Sequence, residues 1–191
     1  MQFWQKTKPY LEKLPEVLTF ASESTLFHII HIFHYSMALQ IGDKAPDFAL
    51  FSSDKKEIKL SDYAGKNLVV LFFPQAFTGV CTAELCNIRD GIADYNQMNT
   101  DVVAISVDSV FTLAKFKEEQ GYNFPLLSDF NKTSSQNYGA YYEDFVFGMK
   151  GVSRRAAFVI DGTGVIRYAE VLESAGDLPN FEAVQSTLKT L

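Results

Sequence analysis

Six apolar residues in a row, Leu68-Val69-Val70-Leu71-Phe72-Phe73, and the proline after them constrain this chain more than any other segment. A run of that length without alternation predicts a strand buried on both faces, as in a parallel sheet. Pro74 has no N–H to give and ends the ladder. Gly79 reads as a turn residue, at a place where a side chain would resist the reversal. From Val80 the pattern becomes helical. Leu85, Ile88 and Ile92 recur at three- and four-residue spacings, while Glu84, Arg89, Asp90 and Asp94 take the other side. Cys81 then lies in the first turn of a helix, just after a buried strand.

That position suits a reactive thiol. Unpaired N–H groups and the helix dipole favour an anion there. The pKa of a free cysteine, about 8.5, falls to roughly 3.5–7.5 in such settings, above all beside a cation. Thr78 brings a hydroxyl to the same turn, able to accept from a bound peroxide or donate to a thiolate. Cys86 follows Cys81 by five residues, and these are the only two cysteines in the chain. A cysteine alone also fits a small buried hydrophobe. Pro74, Thr78 and Cys81 at this spacing favour the reactive reading.

Pro-x-x-x-Thr-x-x-Cys, carried here by Pro74, Thr78 and Cys81, resembles the active-site signature of the peroxiredoxins. The resemblance extends over most of residues 41–188. Gly42-Asp43-Lys44-Ala45-Pro46-Asp47-Phe48 is similar to the family's opening, and Leu60-Ser61-Asp62-Tyr63 to its next element. Ala76-Phe77-Thr78-Gly79-Val80-Cys81, Glu84-Leu85 and Arg89-Asp90 look most like the alkyl hydroperoxide reductase E branch. Phe124-Pro125-Leu126-Leu127-Ser128-Asp129 and Arg155-Ala156-Ala157-Phe158-Val159-Ile160-Asp161 fit the same pattern. The resemblance implies a thioredoxin-like fold and the reduction of hydroperoxides. It makes Cys81 the peroxidatic cysteine, with Thr78 and Pro74 shaping its pocket. Arg155 completes the set, and Glu84 helps to hold the arginine.

The arginine can also be argued from its surroundings. Asp161-Gly162-Thr163-Gly164 lies between two apolar runs, a strong hairpin signal. Arg155 stands where the first strand of that hairpin begins. A guanidinium there would stabilise a thiolate and the charge that develops on a leaving oxygen. Arg154 satisfies the same argument. The family spacing to Phe158 favours Arg155.

Cys86 departs from the reductase E pattern and instead resembles the Q-type, or bacterioferritin-comigratory, peroxiredoxins. Five residues along a helix are roughly 7.5 Å of rise and about 140° of rotation. Cysteines whose Cα atoms are more than about 7 Å apart do not bridge without backbone movement. Resolution by Cys86 therefore requires the helix to unwind, and the alternative is that Cys86 packs while an outside thiol resolves Cys81. The implied cycle passes through a Cys81 sulfenic acid, then a disulfide reduced by a thioredoxin-like or small-thiol donor. It needs no metal, flavin or haem. A thioredoxin-like disulfide oxidoreductase is a second class, but that chemistry usually uses Cys-x-x-Cys. A redox sensor using the same Cys81 is a third.

The other patterns predict an α/β fold with a central mixed sheet flanked by helices. Residues 102–107 read as a buried strand and Val110–Gln120 as a helix. Phe111, Ala114 and Phe116 form the apolar side of that helix, and Gly121 stops it. Leu126–Ser128 reads as a short strand, 133–138 as a short helix and 179–188 as a closing amphipathic helix. Residues 141–152 read as a loop. Its Tyr142, Phe145, Phe147 and Met149 suggest core packing, with a substrate mouth or a homodimer contact as other readings.

The chain is 191 residues long, 47% apolar, with a net charge of −6. It is long enough for one well-packed domain over residues 38–191. The acidic balance argues against a nucleic-acid partner. Two cysteines are too few for a secreted disulfide scaffold, and a reducing, cytoplasmic setting suits them. Residues 1–37 read as a disordered or loosely helical extension, with Met37 as an alternative start. Its apolar part is too short and interrupted to span a membrane. His28, His31 and His34 lie there at helical spacing, but no carboxylate or thiolate sits beside them to complete a metal site.

Overall fold

The computed structural model describes residues 39–191, so the extension and its histidines lie outside the described residues. The order begins with β1 (Ala49–Ser52) and β2 (Glu57–Lys59), a 3-10 turn over Leu60–Tyr63, and β3 (Asn67–Phe72). Helices α1 (Gly79–Asp90) and α2 (Ile92–Gln97) follow, then β4 (Thr100–Ser106), α3 (Val110–Gln120), β5 (Leu126–Ser128) and α4 (Thr133–Asn137). The rest is β6 (Tyr141–Asp144), β7 (Lys150–Ser153), β8 (Ala156–Ile160), β9 (Ile166–Val171) and α5 (Phe181–Leu188).

The apolar run explains the architecture. It becomes β3, inside a seven-stranded sheet of order β2-β1-β5-β4-β3-β8-β9. β3 pairs with β4 in parallel and with β8 antiparallel, so Val70 lies between Val103 and Phe158. Side chains alternate across the sheet. Val69, Leu71 and Phe73 enter one core with Leu85, Ile88, Leu113, Phe116 and Val184. Leu68, Val70 and Phe72 enter the other, with Phe48, Tyr138 and Phe158. A strand with helices over one face and the Tyr138 segment over the other has no reason to alternate in polarity. Among the described residues no helix is long and apolar enough to cross a membrane.

Five local expectations need correction. Gly79 is an ordinary first helical residue, and a Cβ there would meet nothing within 4 Å. The left-handed residue of that turn is Phe77, at φ 63°. Its ring rests on Phe116 with centroids 4.8 Å apart, which holds a conformation that is unfavourable for a bulky side chain. Glu84 is fully buried and does not share the solvent side with Asp90. The helix also breaks at Gly91, so Ile92 belongs to α2.

Phe111 is 75% exposed, because Leu113 and Phe116, three apart, carry the buried face of α3. Gly121 does end that helix, in the left-handed conformation. Finally, residues 141–152 are not a loop. β6 and β7 form a separate antiparallel pair with Tyr142 opposite Val152. Its turn uses Phe147 and Gly148, both left-handed. Phe147 is 98% exposed, so core packing does not account for its apolar character.

Candidate active site

α1 begins where β3 ends, at the carboxyl edge of the central strands, the usual place for a site in an open α/β sheet. Thr78 is its N-cap residue, in extended conformation. Cys81 sits in the first turn with its side chain turned inward, only 1% exposed. Glu84 lies three residues on, which on a helix returns to the same face. Arg155 precedes β8, beside β3, and reaches the same point from the sheet.

The contacts are specific. Arg155 Nη2 donates to Cys81 Sγ at 3.3 Å and to the Ala175 carbonyl at 2.9 Å. Arg155 Nη1 donates to Glu84 Oε2. All three side chains are buried. A buried guanidinium is tolerable only when charge and hydrogen bonds compensate it, and Glu84 supplies the charge. Burial pushes the Glu84 carboxyl up, to about 7, against the attraction and hydrogen bond of Arg155. Glu84 Oε1 and Arg155 Nε have no hydrogen-bond partner, so the pair still presents polar valences inside the site. Arg154 goes elsewhere. Its Nε donates to the Leu172 carbonyl at 3.1 Å, its Nη2 pairs with Glu173 at 2.6 Å, and it stacks on Tyr142.

The other expected residues are more loosely placed. Pro74 is buried where β3 gives way to the loop. Thr78 is exposed, and its hydroxyl donates to the Gln75 carbonyl at 3.0 Å. The Thr78 carbonyl accepts from the N–H of Thr82 at 2.9 Å and from its hydroxyl at 2.8 Å. Both thiols are free, and one unbroken helix carries them. Cys86 is half-buried, with Sγ 3.9 Å from Gln120 Oε1.

Sequence reasoning missed three supports. Asp108 accepts from the Ala76 N–H at 2.8 Å and from the Ser106 hydroxyl at 2.8 Å, and so fixes the loop before Cys81. An acidic residue just past a buried strand at this edge was a usable signal. Gln75 Nε2 donates to Met149 Sδ at 3.2 Å, tying that loop to the β6–β7 hairpin. The Ala175 carbonyl that receives Arg155 had no signal in the sequence. Among the described residues no group of three or more His, Cys, Asp or Glu side chains could hold a metal ion.

The thiol in the first turn of a helix, held by a buried arginine, lies at the end of the mixed sheet of a thioredoxin-like fold. The chain belongs to the AhpC/TSA family, whose model matches residues 41–169, and is a peroxiredoxin. It is 39% identical over 160 residues to Peroxiredoxin-2 of Mus musculus, covering 78% of this chain and 76% of that one. It is 38% identical over 136 residues to alkyl hydroperoxide reductase E of Mycobacterium bovis, covering 70% and 86%. Among solved structures it is similar to peroxidoxin BcpB from Mycobacterium tuberculosis, with TM-score 0.71 and 28% identity over 80% of this chain and 98% of that one. A PrxQ mutant from Xylella fastidiosa matches with TM-score 0.72 and 27% identity, covering 81% and 98%.

Proposed function

We propose that Cys81 is the thiol that attacks the hydroperoxide. The observation that carries this reading is the Arg155 N–H on its sulfur, in a buried site. The Cys81 thiolate attacks one peroxide oxygen; an S–O bond forms and the O–O bond breaks. Sulfur is oxidised and the peroxide reduced. The leaving oxygen takes a proton and departs as water or an alcohol, and Cys81 becomes a sulfenic acid. Arg155 stabilises the thiolate and the charge on the leaving oxygen. Glu84 holds Arg155, Pro74 walls the pocket, and the Thr78 hydroxyl turns from the Gln75 carbonyl to the peroxide. Hydrogen peroxide and organic hydroperoxides are the substrates.

In the second half, the Cys86 thiolate attacks the sulfenic sulfur. An S–S bond forms, the S–O bond breaks, and hydroxide leaves as water after taking a proton. A thioredoxin-like dithiol then reduces the disulfide. This combines a reductase E-like active site with a Q-type resolving cysteine, in a reducing compartment such as the cytoplasm. The likeness to both alkyl hydroperoxide reductase E and a PrxQ structure supports the combination. The unbroken α1 helix favours a second reading, a one-cysteine cycle closed by an outside thiol.

Mass spectrometry after one equivalent of hydrogen peroxide tests both. Rapid loss of two hydrogens, mapped to a Cys81–Cys86 bridge, is expected. Oxygen addition on Cys81 with Cys86 still free would establish the one-cysteine cycle. Cys81→Ser should abolish the reaction, and Cys86→Ser should stop it at the sulfenic acid. Reaction no faster than that of a free thiol would overturn the active-site reading.

A further inference from the structure

Arg154 lies beside the arginine that reaches Cys81, and the proposed cycle gives it no task. Its side chain is half-buried and crosses to residues 172–176, the segment that follows β9. Its Nε donates to the Leu172 carbonyl at 3.1 Å, and its Nη2 pairs with Glu173 at 2.6 Å. Its guanidinium lies over the Tyr142 ring, 5.3 Å from the centroid. Tyr142, on β6, donates its hydroxyl to the Glu173 carbonyl at 2.8 Å. The Leu172 N–H donates to the Arg155 carbonyl at 2.9 Å, so the segment leaves the sheet beside the two arginines. The same segment carries the Ala175 carbonyl, which accepts from Arg155 Nη2 at 2.9 Å.

These contacts differ in weight. The Glu173 side chain is 93% exposed, and an ion pair in that setting contributes little. The bond to the Leu172 carbonyl is charge-assisted, and stacking on an aromatic face suits a guanidinium better than an ammonium. Their combined effect falls on Arg155. Its Nη2 donates both to the Cys81 sulfur at 3.3 Å and to Ala175, while its Nη1 donates to Glu84. The planar fork is therefore oriented by two acceptors besides the thiol. Glu84 is one, and α1 fixes it. The other is a carbonyl in an irregular segment, and it is fixed only where that segment is fastened.

We infer that Arg154 is a positioning residue for the peroxide step: with Tyr142 it fastens residues 172–176, so that the Ala175 carbonyl aims the Arg155 guanidinium at the Cys81 sulfur. The inference rests on the reading of Cys81 as the attacking thiol and of Arg155 as the group that stabilises the leaving oxygen. It also gives the β6–β7 hairpin a task, because Tyr142 supplies both the ring under Arg154 and a second hydrogen bond to the segment.

The test compares two reactions of one thiol in the Cys86→Ser background, each followed by intact mass on quenched samples. Single-turnover oxidation by hydrogen peroxide needs a guanidinium aimed at the leaving oxygen. Alkylation by iodoacetamide needs the thiolate but has no leaving oxygen. Both are read at a pH where alkylation has reached its plateau, so ionisation of the thiol does not enter. Arg154→Ala should slow the peroxide reaction roughly tenfold, the scale of one hydrogen bond to a charged group, and leave alkylation as fast or faster. Arg154→Lys keeps a charge opposite Glu173 without the fork or the stacking, and should recover only part of the rate. Tyr142→Phe keeps the ring and removes one hydroxyl, so it preserves the packing and should give a smaller loss of the same kind. Amide hydrogen exchange over residues 173–176 should be faster in Arg154→Ala and in Tyr142→Phe. Full recovery with lysine would reduce Arg154 to a surface ion pair and overturn the inference. So would equal slowing of both reactions, or faster exchange with an unchanged peroxide rate. A parent that meets peroxide no faster than a free thiol would remove the reading of Cys81, and the inference with it.

Discussion

The two thiols share one helix and differ in nearly everything else. Cys81 is 1% exposed and is gripped from the sheet by Arg155, which Glu84 and the Ala175 carbonyl hold in turn. Cys86, little more than a turn later, is half-buried, and its sulfur lies 3.9 Å from Gln120 Oε1. The first turn of the helix is fixed from the sheet, as the proposed attack of Cys81 on a peroxide requires. Glu84 stands between the two thiols, so any unwinding that joins them must disturb the buried pair that prepares the first.

Three changes would break or sharpen that contrast. The largest effect is expected at the gripped end. Arg155→Ala removes the charge on the sulfur and leaves Glu84 buried and alone. Single-turnover oxidation of Cys81 should fall by ~10²–10³. Denaturant unfolding should show a loss of about 3–5 kcal/mol, the cost of breaking a buried pair from one side. Arg155→Lys restores charge without the fork and should recover only part of the rate. Unchanged stability in Arg155→Ala would mean that the pair does not clamp the helix.

The next effect lies in pH. Burial raises the Glu84 carboxyl from 4.5 to about 7. Between those values the unfolded chain has released that proton and the folded chain still holds it. The contribution of Glu84 to stability is therefore full in acid and declines as pH rises through the window. Melting curves of Glu84→Gln against the parent should show the parent's added slope between pH 4.5 and about 7 disappear. A parent without that slope would mean that Arg155 keeps Glu84 ionised throughout.

The smallest effect lies outside both ends. Asp161 accepts from the Thr163 hydroxyl at 2.6 Å and N–H at 2.8 Å, the Val165 N–H at 3.1 Å and Arg167 Nε at 2.6 Å. Partial burial raises its carboxyl, but these hydrogen bonds outweigh it and hold the group well below the ordinary carboxylate range. Asp161→Ala should cost about 1–2 kcal/mol by denaturant unfolding, with the balance between the two thiol steps unchanged. The depressed carboxyl stabilises above its unfolded value and loses that contribution as pH falls, so parent and variant should converge in acid below about pH 4. A constant gap would place the contribution of Asp161 in packing.

Most of the framework was legible because it depends on unambiguous signals. An apolar run of strand length, a proline stop and a three-and-four spacing placed β3, α1 and Cys81. The Asp161-Gly162 turn placed β8 and, with it, an arginine at its head. What escaped depends on partners distant in the chain. Phe77 in a left-handed turn is stabilised by Phe116, and nothing local announces it. Phe111 is apolar but out of phase with Leu113 and Phe116, so only the packing could show it exposed. Residues 141–152 concealed a hairpin because half of its turn is the wrong residue type for a left-handed backbone. The local pattern put Glu84 among exposed charges, and only the resemblance paired it with Arg155.

The hairpin turn has a consequence for fidelity of folding. Every residue of β8 is buried, on both faces of the sheet. Polarity therefore does little to set its register against β3, whereas a one-residue slip turns each side chain over. Arg154 and Arg155 are adjacent, so such a slip would present the wrong guanidinium to the thiol. The correct register depends on the turn, where Asp161 gathers Thr163, Val165 and Arg167. It also depends on Gly162, where a Cβ would come within 2.8 Å of the Gly65 backbone. A loop with no hydrogen bond to either cysteine thereby selects which of two neighbouring arginines reaches Cys81.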